Sequence, residues 1–285
     1  MILGAVEISA DSLRLCVLEV EGDRVTRILD RRHAVTASLE NLERLSALVM
    51  VEVEAARDLG AQRTEVTAVS ELRGTRLLRL IEKISLGLGL GPVRIPAQRE
   101  NTAAAFLAAS TPGDGEPVGV ALVVESIVGL AVGPAGVAAD WVGTRPVGPA
   151  RISERAGFSD PPRPPQVEAA ISGVCRGIAQ LAPPPMPRLL VASPFAAVVE
   201  RLCGGAITAE DARRGLDSIL GQTADDLSAW FGLDEANARL LPGTLVVHLV
   251  LAQVFGLALE PTACEIGAGR HWMAERRLVP DGGPA

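Results

Sequence analysis

The sequence predicts an α/β protein with two similar lobes and a cleft between them. Residues 2–30 and 118–142 each contain three runs of alternating apolar and polar residues, a pattern typical of strands. Helical apolar spacing follows both regions, and the Gly-, Pro- and Asp-rich stretch at 111–117 separates them. This repeated order of strands and helices favours two lobes, each with its own sheet.

In the first half the strands ILGAVEIS, LRLCVLEVEG and RVTRILDRRHAV precede a helix at 39–58. The strand TEVTAVS, a helix at about 74–84, the short strand PVRIP and a helix at 101–109 complete this half. We therefore expect an N-terminal lobe at 1–112.

The second half begins with the strands VGVALVVES, IVGLAVGPAG and VAADWVG. Two proline-rich segments, 160–165 and 182–187, bracket a helix at 167–181, and the strand LLVAS follows. From Thr208 the chain is mostly helical up to a strand near 263–266 and a last helix. The second lobe is expected at 117–267 with a helical insertion, and a C-terminal helix at about 268–280 is expected to pack back on the first lobe.

The composition excludes several functional classes. A net charge of −7 and a pI near 5.2 oppose nucleic-acid binding, which needs a clustered basic surface. The four cysteines lack CxxC spacing, so neither zinc nor redox chemistry is indicated. The N-terminus lacks the basic start of a signal peptide, and the apolar run at 245–259 is too short for a membrane span. We expect a soluble cytoplasmic protein with no membrane partner.

Three further side chains are interpreted as structural. His248 lies within the apolar run, where we expect a core residue with satisfied hydrogen bonds. Trp230 and Phe231 are interpreted as helix packing residues, not as a stacking platform.

The motifs, taken in order, resemble the exopolyphosphatase and guanosine pentaphosphate phosphohydrolase (Ppx/GppA) family. AVEISADSLRLCVLEVEG resembles its AVDxGSNSxRLxVxEVxG, and AVSELRGTRLLRLIEKI resembles ATSALRxAxNxxxFLxxI. PVRIPAQRENTAAAFLAA, ALVVESIVGLAVG and RPVGPARISE fall where the family has VxxISGxEEARLxYLG, LVxDIGGGSTELVxG and LPLGAVRLTE. LLVASPFAAVVERL and EIGAGRHWMAERRL match its last two motifs, so the resemblance covers nearly the whole chain.

The resemblance implies two actin-like (ribonuclease H-like) lobes and magnesium-dependent release of the terminal phosphate from polyphosphate or from the guanosine nucleotide pppGpp. A homodimer is also expected. In this chemistry small loops present N–H groups to phosphate, carboxylates hold the metal, and a glutamate activates water. The matched positions for phosphate are Ser9, Asp11, Ser12, Arg73, Ser126, Ser193 and Arg270, and those for magnesium are Glu7 and Glu125.

The three loops and the base position depart from the family pattern, whereas Arg73 and Arg270 match it, with a role in ion pairs as the alternative to anion binding for both. Anchoring on the flanking residues places the general base on Asn101, which cannot take a proton from water, whereas a one-residue shift places it on Glu100. The second loop lacks about three residues where the family has GGGST, and Pro194 removes a donor from the third. For the first loop a plain hairpin turn remains the alternative to phosphate binding.

Three functions follow from these departures. The first is an inactive or catalytically impaired relative with a binding, regulatory or structural role. The second is an active phosphohydrolase that uses Glu7, Glu100 and Glu125. The third is a protein-interaction module.

Overall fold

The computed structural model describes residues 1–8, 12–21, 24–68, 72–110 and 116–263. The chain divides between Asn101 and Thr102 into two compact units, here called unit 1 and unit 2. The sequence places the boundary at 112–117, and that division stays a prediction. The expected C-terminal helix and its Arg270 lie outside the described residues.

Unit 1 contains a mixed four-stranded sheet. Its strands are β1 (Ile2–Ile8), β2 (Ser12–Glu21), β3 (Arg24–Ala34) and β4 (Arg63–Ala68), in the order β3-β2-β1-β4. β1 is antiparallel to β2 and parallel to β4. Helices α1 (Leu42–Asp58) and α2 (Arg76–Gly87) bury their apolar stripes against one face of the sheet. The strand expected at PVRIP is reduced to one bridge, between Arg94 and Thr67.

Unit 2 repeats this strand order and adds one strand. Its strands are β5 (Pro117–Val124), β6 (Ile127–Pro134), β7 (Trp141–Arg145), β8 (Leu189–Ser193) and β9 (Leu259–Ala263), in the order β7-β6-β5-β8-β9. The hairpin partners are antiparallel, whereas β8 is parallel to both β5 and β9. Two mixed sheets flanked by helices confirm the predicted α/β fold class.

Helices cover both faces of the sheet in unit 2. Helix α3 (Gln98–Ala109) runs across the boundary between the units and packs Ala105 and Phe106 against one face. The opposite face shares one core with α4 (Pro149–Ala156), α5 (Pro164–Ala179), α6 (Ala196–Cys203), α7 (Ala209–Ile219), α8 (Ala224–Phe231) and α9 (Glu235–Phe255). The elements are therefore arranged in three layers.

Helix α9 is the central element of unit 2. It contacts α4, α5, α7 and α8, and an unbroken run of its residues, Leu241–Ala252, is buried. Among the described residues, α9 is the one helix with the length and apolar composition to cross a membrane. However, 72% of its apolar window is buried inside the protein itself. This burial is what the core helix of a globular unit requires.

Two short helices and one surface side chain differ from the sequence-based expectations. Helices α4 and α6, each of eight residues, were not predicted. The proline-rich segment at 160–165 is not only a linker, since Pro164 and Pro165 form the first turn of α5, where a missing N–H costs nothing. Trp230 is 55% exposed, so the expectation that it packs between helices is wrong.

His248 is a core residue, as expected, but only one of its nitrogens has a partner. Nδ1 donates to the carbonyl of Thr244 at 2.8 Å, whereas Nε2 is buried without a hydrogen bond in the structure. Burial lowers the pKa of His248 from 6.5 to about 4. The folded chain therefore holds this imidazole neutral, while the unfolded chain protonates it near pH 6.5.

We predict that, at acidic pH, the free energy of unfolding of His248→Leu depends less steeply on pH than that of the wild type. The contribution of the neutral imidazole is complete above pH 6.5 and is lost as the pH falls towards 4, by up to about 1.4 kcal/mol per pH unit. Urea unfolding at pH 7.5, 5.5 and 4.5 measures this difference between variant and wild type. Gln253→Leu, at an exposed and uncharged position of the same helix, is the control, and equal pH slopes for His248→Leu and wild type would contradict the prediction.

Candidate functional site

In unit 1 the predicted metal ligand Glu7 lies in a row of polar side chains that crosses the sheet. Glu7 pairs with Arg14 of β2 on one side and with Thr67 of β4 on the other. The row continues from Arg14 to Arg32 of β3 and from Thr67 to Arg94. Directly opposed residues share a sheet face, so these five side chains form one continuous polar row near the carboxyl end of β1.

Arg14 is the most strongly paired cation of this row. Its Nε and Nη2 donate to the two carboxylate oxygens of Asp30 at 2.8 and 2.6 Å, and these bonds raise the pKa of Arg14 above its ordinary value. Glu7 adds to the same attraction. Glu7 is therefore next to a permanent protein cation, on the strand where the resemblance places a metal ligand.

Arg94 connects the row to the predicted general-base position. Its Nη1 donates to Glu65 at 2.9 Å and its Nη2 donates to Glu100 at 2.5 Å. The Oε1 atom of Glu100 thus accepts a hydrogen bond from a guanidinium in the first turn of α3. Asn101, the alternative base position, is the next residue of this helix and is half-buried.

The other predicted residues of unit 1 contribute less. Ser12 is buried at the start of β2, on the same face as Arg14. Arg73 is exposed, and its guanidinium donates a long bond of 3.4 Å to the carbonyl of Ile95. Ser9 and Asp11 lie outside the described residues.

In unit 2 the second loop is a two-residue turn. Val124 pairs with Ile127, so only Glu125 and Ser126 connect β5 to β6. The carbonyl of Glu125 accepts a hydrogen bond from the N–H of Ala150 at 2.8 Å. A turn of this length cannot surround a phosphate with several N–H groups, and the start of α4 already binds its backbone.

The backbone at Gly148, the N-cap of α4, lies directly against this turn. A Cβ at Gly148 would come within 2.3 Å of the Val124 carbonyl oxygen and 2.4 Å of the Ile127 nitrogen. Only glycine permits this approach, because it has no side chain. The backbone of the chain itself therefore fills the space beside the turn.

In the third loop, a hydrogen bond within the loop occupies a backbone N–H group. Ser193 is 1% exposed at the end of β8, and its Oγ accepts a hydrogen bond from the Phe195 N–H at 3.1 Å. Pro194 has no N–H, and the Phe195 side chain packs into the core of unit 2. Because β5 and β8 are adjacent and parallel, the structure brings Glu125, Ser126 and Ser193 to the same edge of the sheet.

The carboxylates of the described residues are not grouped as a magnesium site requires. Within the parts of the chain that the structure describes, no three His, Cys, Asp or Glu side chains are grouped as a metal would require. Of the two predicted ligands, Glu7 is beside Arg14 and Glu125 is in a tight turn packed against α4.

Sequence reasoning missed Arg94, which joins Glu65 to the predicted general-base position at Glu100. Arg94 falls in a matched motif, but its position opposite Thr67 depends on the strand register, which the sequence does not show. The only local signal is its spacing, six residues before Glu100.

No family model matches the sequence, and no curated protein does. Solved structures match over almost the whole chain. The Aquifex aeolicus member of the Ppx/GppA family gives a TM-score of 0.81 at 14% identity, covering 97% of this chain and 98% of that one.

Two further structures agree. An exopolyphosphatase from Cytophaga hutchinsonii gives a TM-score of 0.76 at 14% identity, with coverage of 97% and 98%. An exopolyphosphatase-like protein gives 0.75 at 17% identity, with coverage of 98% and 100%. At these identities the similarity establishes the fold, and the Ppx/GppA fold expected from the motifs is confirmed.

We predict that Gly148→Ala lowers the free energy of unfolding by about 2–3 kcal/mol, because the added methyl group forces apart the turn and α4. Gly173→Ala in α5 is the matched control. A Cβ there meets nothing within 4 Å, and alanine favours a helix interior over glycine by about 0.5–1 kcal/mol. Urea unfolding measures both, and equal stability of the two variants would show that the turn does not depend on this contact.

Proposed function

We propose that this chain, which has the Ppx/GppA fold, is a member of that family that does not release phosphate and acts through binding. The observation that carries the proposal is the two-residue turn at Glu125 and Ser126, closed by the start of α4. Phosphate transfer depends on loops that surround the transferred group with donors, and this loop has no room to do so.

The general-base position supports the same proposal. An amide at Asn101 cannot accept a proton from water, and the neighbouring Glu100 gives its Oε1 to Arg94. With Asn101 in the catalytic place the attacking water has no carboxylate to take its proton, and with Glu100 there one of the two carboxylate oxygens is already bound to Arg94.

The alternative is an active magnesium-dependent phosphohydrolase. Its support is that Glu7, Glu100 and Glu125 each provide a carboxylate at or beside a position where the family chemistry uses one. The pairing of Glu7 and Glu100 with Arg14 and Arg94 weighs against it.

The ligand class follows from the relatives. Exopolyphosphatase structures share this fold, so polyphosphate or a guanosine nucleotide is the first ligand to test, with magnesium only if the chain hydrolyses it. We further propose a cytoplasmic protein, with a homodimer as its oligomeric state and without nucleic-acid or membrane partners. The acidic balance of the chain supports the exclusion of nucleic acid.

We predict no release of phosphate above background when the purified chain is mixed with polyphosphate or pppGpp and magnesium. Glu100→Gln is expected to match the wild type, as is the control Glu54→Gln on an exposed position of α1. Release that Glu100→Gln abolishes and Glu54→Gln preserves would establish the active alternative.

Measurements of the melting temperature with each compound test whether the chain binds it. Ligand bound to the native state raises the melting temperature by mass action, by several degrees at a concentration of about 100 Kd. Such a shift with polyphosphate or pppGpp would identify a phosphate compound as the bound ligand. If neither compound, nor ATP, nor magnesium shifts the melting temperature, the chain is better described as a protein-interaction module.

A further inference from the structure

An exposed tryptophan marks a surface of unit 2 that the phosphate chemistry does not involve. Trp230 lies in the last turn of α8 and is exposed, whereas the next residue, Phe231, packs against the core of unit 2. Together with Arg201 of α6 these residues form what we call the aromatic cluster. Burial of a tryptophan ring is highly favourable, so a ring left 55% exposed is the kind of side chain that anchors protein interfaces.

The cluster already binds one guanidinium. The guanidinium carbon of Arg201 lies 4.6 Å from the centre of the Phe231 ring, and its Nη2 donates to the Trp230 carbonyl at 3.2 Å. The rings of Phe231 and Trp230 meet edge to face, with centres 6.5 Å apart at 72°. Arginine, Phe231 and Trp230 thus form a ladder whose last ring faces solvent.

Carboxylates lie near Trp230 along the chain. Asp226 precedes Trp230 by four residues on α8, which places the two side chains on one helix face. Hydrogen bonds from the Thr223 side chain and backbone lower the pKa of Asp226, so it is ionised at neutral pH. The segment 221–236 contains four carboxylates and no lysine or arginine, and Arg201 and Arg239 contact it from outside.

We propose that the aromatic cluster docks an arginine-bearing segment of a partner protein. A guanidinium stacked on Trp230 continues the ladder, and the neighbouring carboxylate of Asp226 supplies the opposite charge. Arginine fits this combination better than lysine, because its planar group stacks on a ring and pairs with a carboxylate at the same time. A symmetric contact between two copies of this chain is disfavoured, since it would bring the same carboxylates together.

Two-dimensional NMR of the full chain tests this surface directly. The three tryptophans, Trp141, Trp230 and Trp272, each give an indole N–H signal, and the signal that Trp230→Ala removes is that of Trp230. The probes are a peptide with two arginines spaced by glycine and its lysine and citrulline counterparts, at 0.15 M salt so that long-range attraction is screened.

We expect the arginine peptide to shift the Trp230 signal in a saturable way and to bind about fivefold or more tightly than the lysine peptide, with no effect from citrulline. Trp230→Ala should abolish this binding, Asp226→Asn should weaken it, and the control Val254→Ala, an exposed apolar residue of α9, should leave it unchanged. Trp230→Phe, which keeps a ring, should retain partial binding and guards against a folding defect.

Two results would overturn the proposal. One is equal binding of the arginine and lysine peptides that Trp230→Ala does not change, which indicates general attraction to an acidic protein. The other is a loss of self-association in Trp230→Ala by light scattering, which assigns the surface to a second copy of the chain. Phosphate release tests the proposed function separately, so the failure of either proposal is distinguishable from that of the other.

Discussion

The segment that joins β7 to α4 approaches three other parts of unit 2 more closely than side chains permit, and the arrangement of that unit depends on these contacts. An added Cβ at Gly148 would lie 2.3 Å from the β5–β6 turn, one at Gly177 of α5 would lie 2.6 Å from Val147, and one at Gly243 of α9 would lie 2.8 Å from the Pro149 carbonyl. The turn, α5 and the central helix are thereby packed around one short piece of backbone.

The proposed loss of hydrolysis rests on a different physical effect in each unit. In unit 2 the effect is steric, since backbone fills the space beside the turn and the Phe195 side chain packs into the core. In unit 1 it is electrostatic. Asp30 pairs with Arg14 beside Glu7, and Arg94 divides its donors between Glu65 and Glu100.

Much of the fold could be predicted from the sequence, because strand alternation and the order of elements are local signals. Alternation gave the three opening strands of each unit, and the boundaries of β8 were predicted to the residue. The helices α4 and α6 were missed because eight residues span barely two turns and show little periodicity. The site was less accessible, since the role of Arg94 depends on strand register and that of Gly148 on a contact with a distant turn.

The aromatic cluster shows why a preserved fold does not determine the function of this chain. The fold depends on buried residues of the sheets and of α9, which are compatible with many different loops and surfaces. Trp230 belongs to α8, which is not one of the loops at the carboxyl ends of β5 and β8, so its exposure is independent of whether a phosphate can bind there. The tight β5–β6 turn and the exposed Trp230 are therefore two separate features, and the two proposals that rest on them can hold or fail independently.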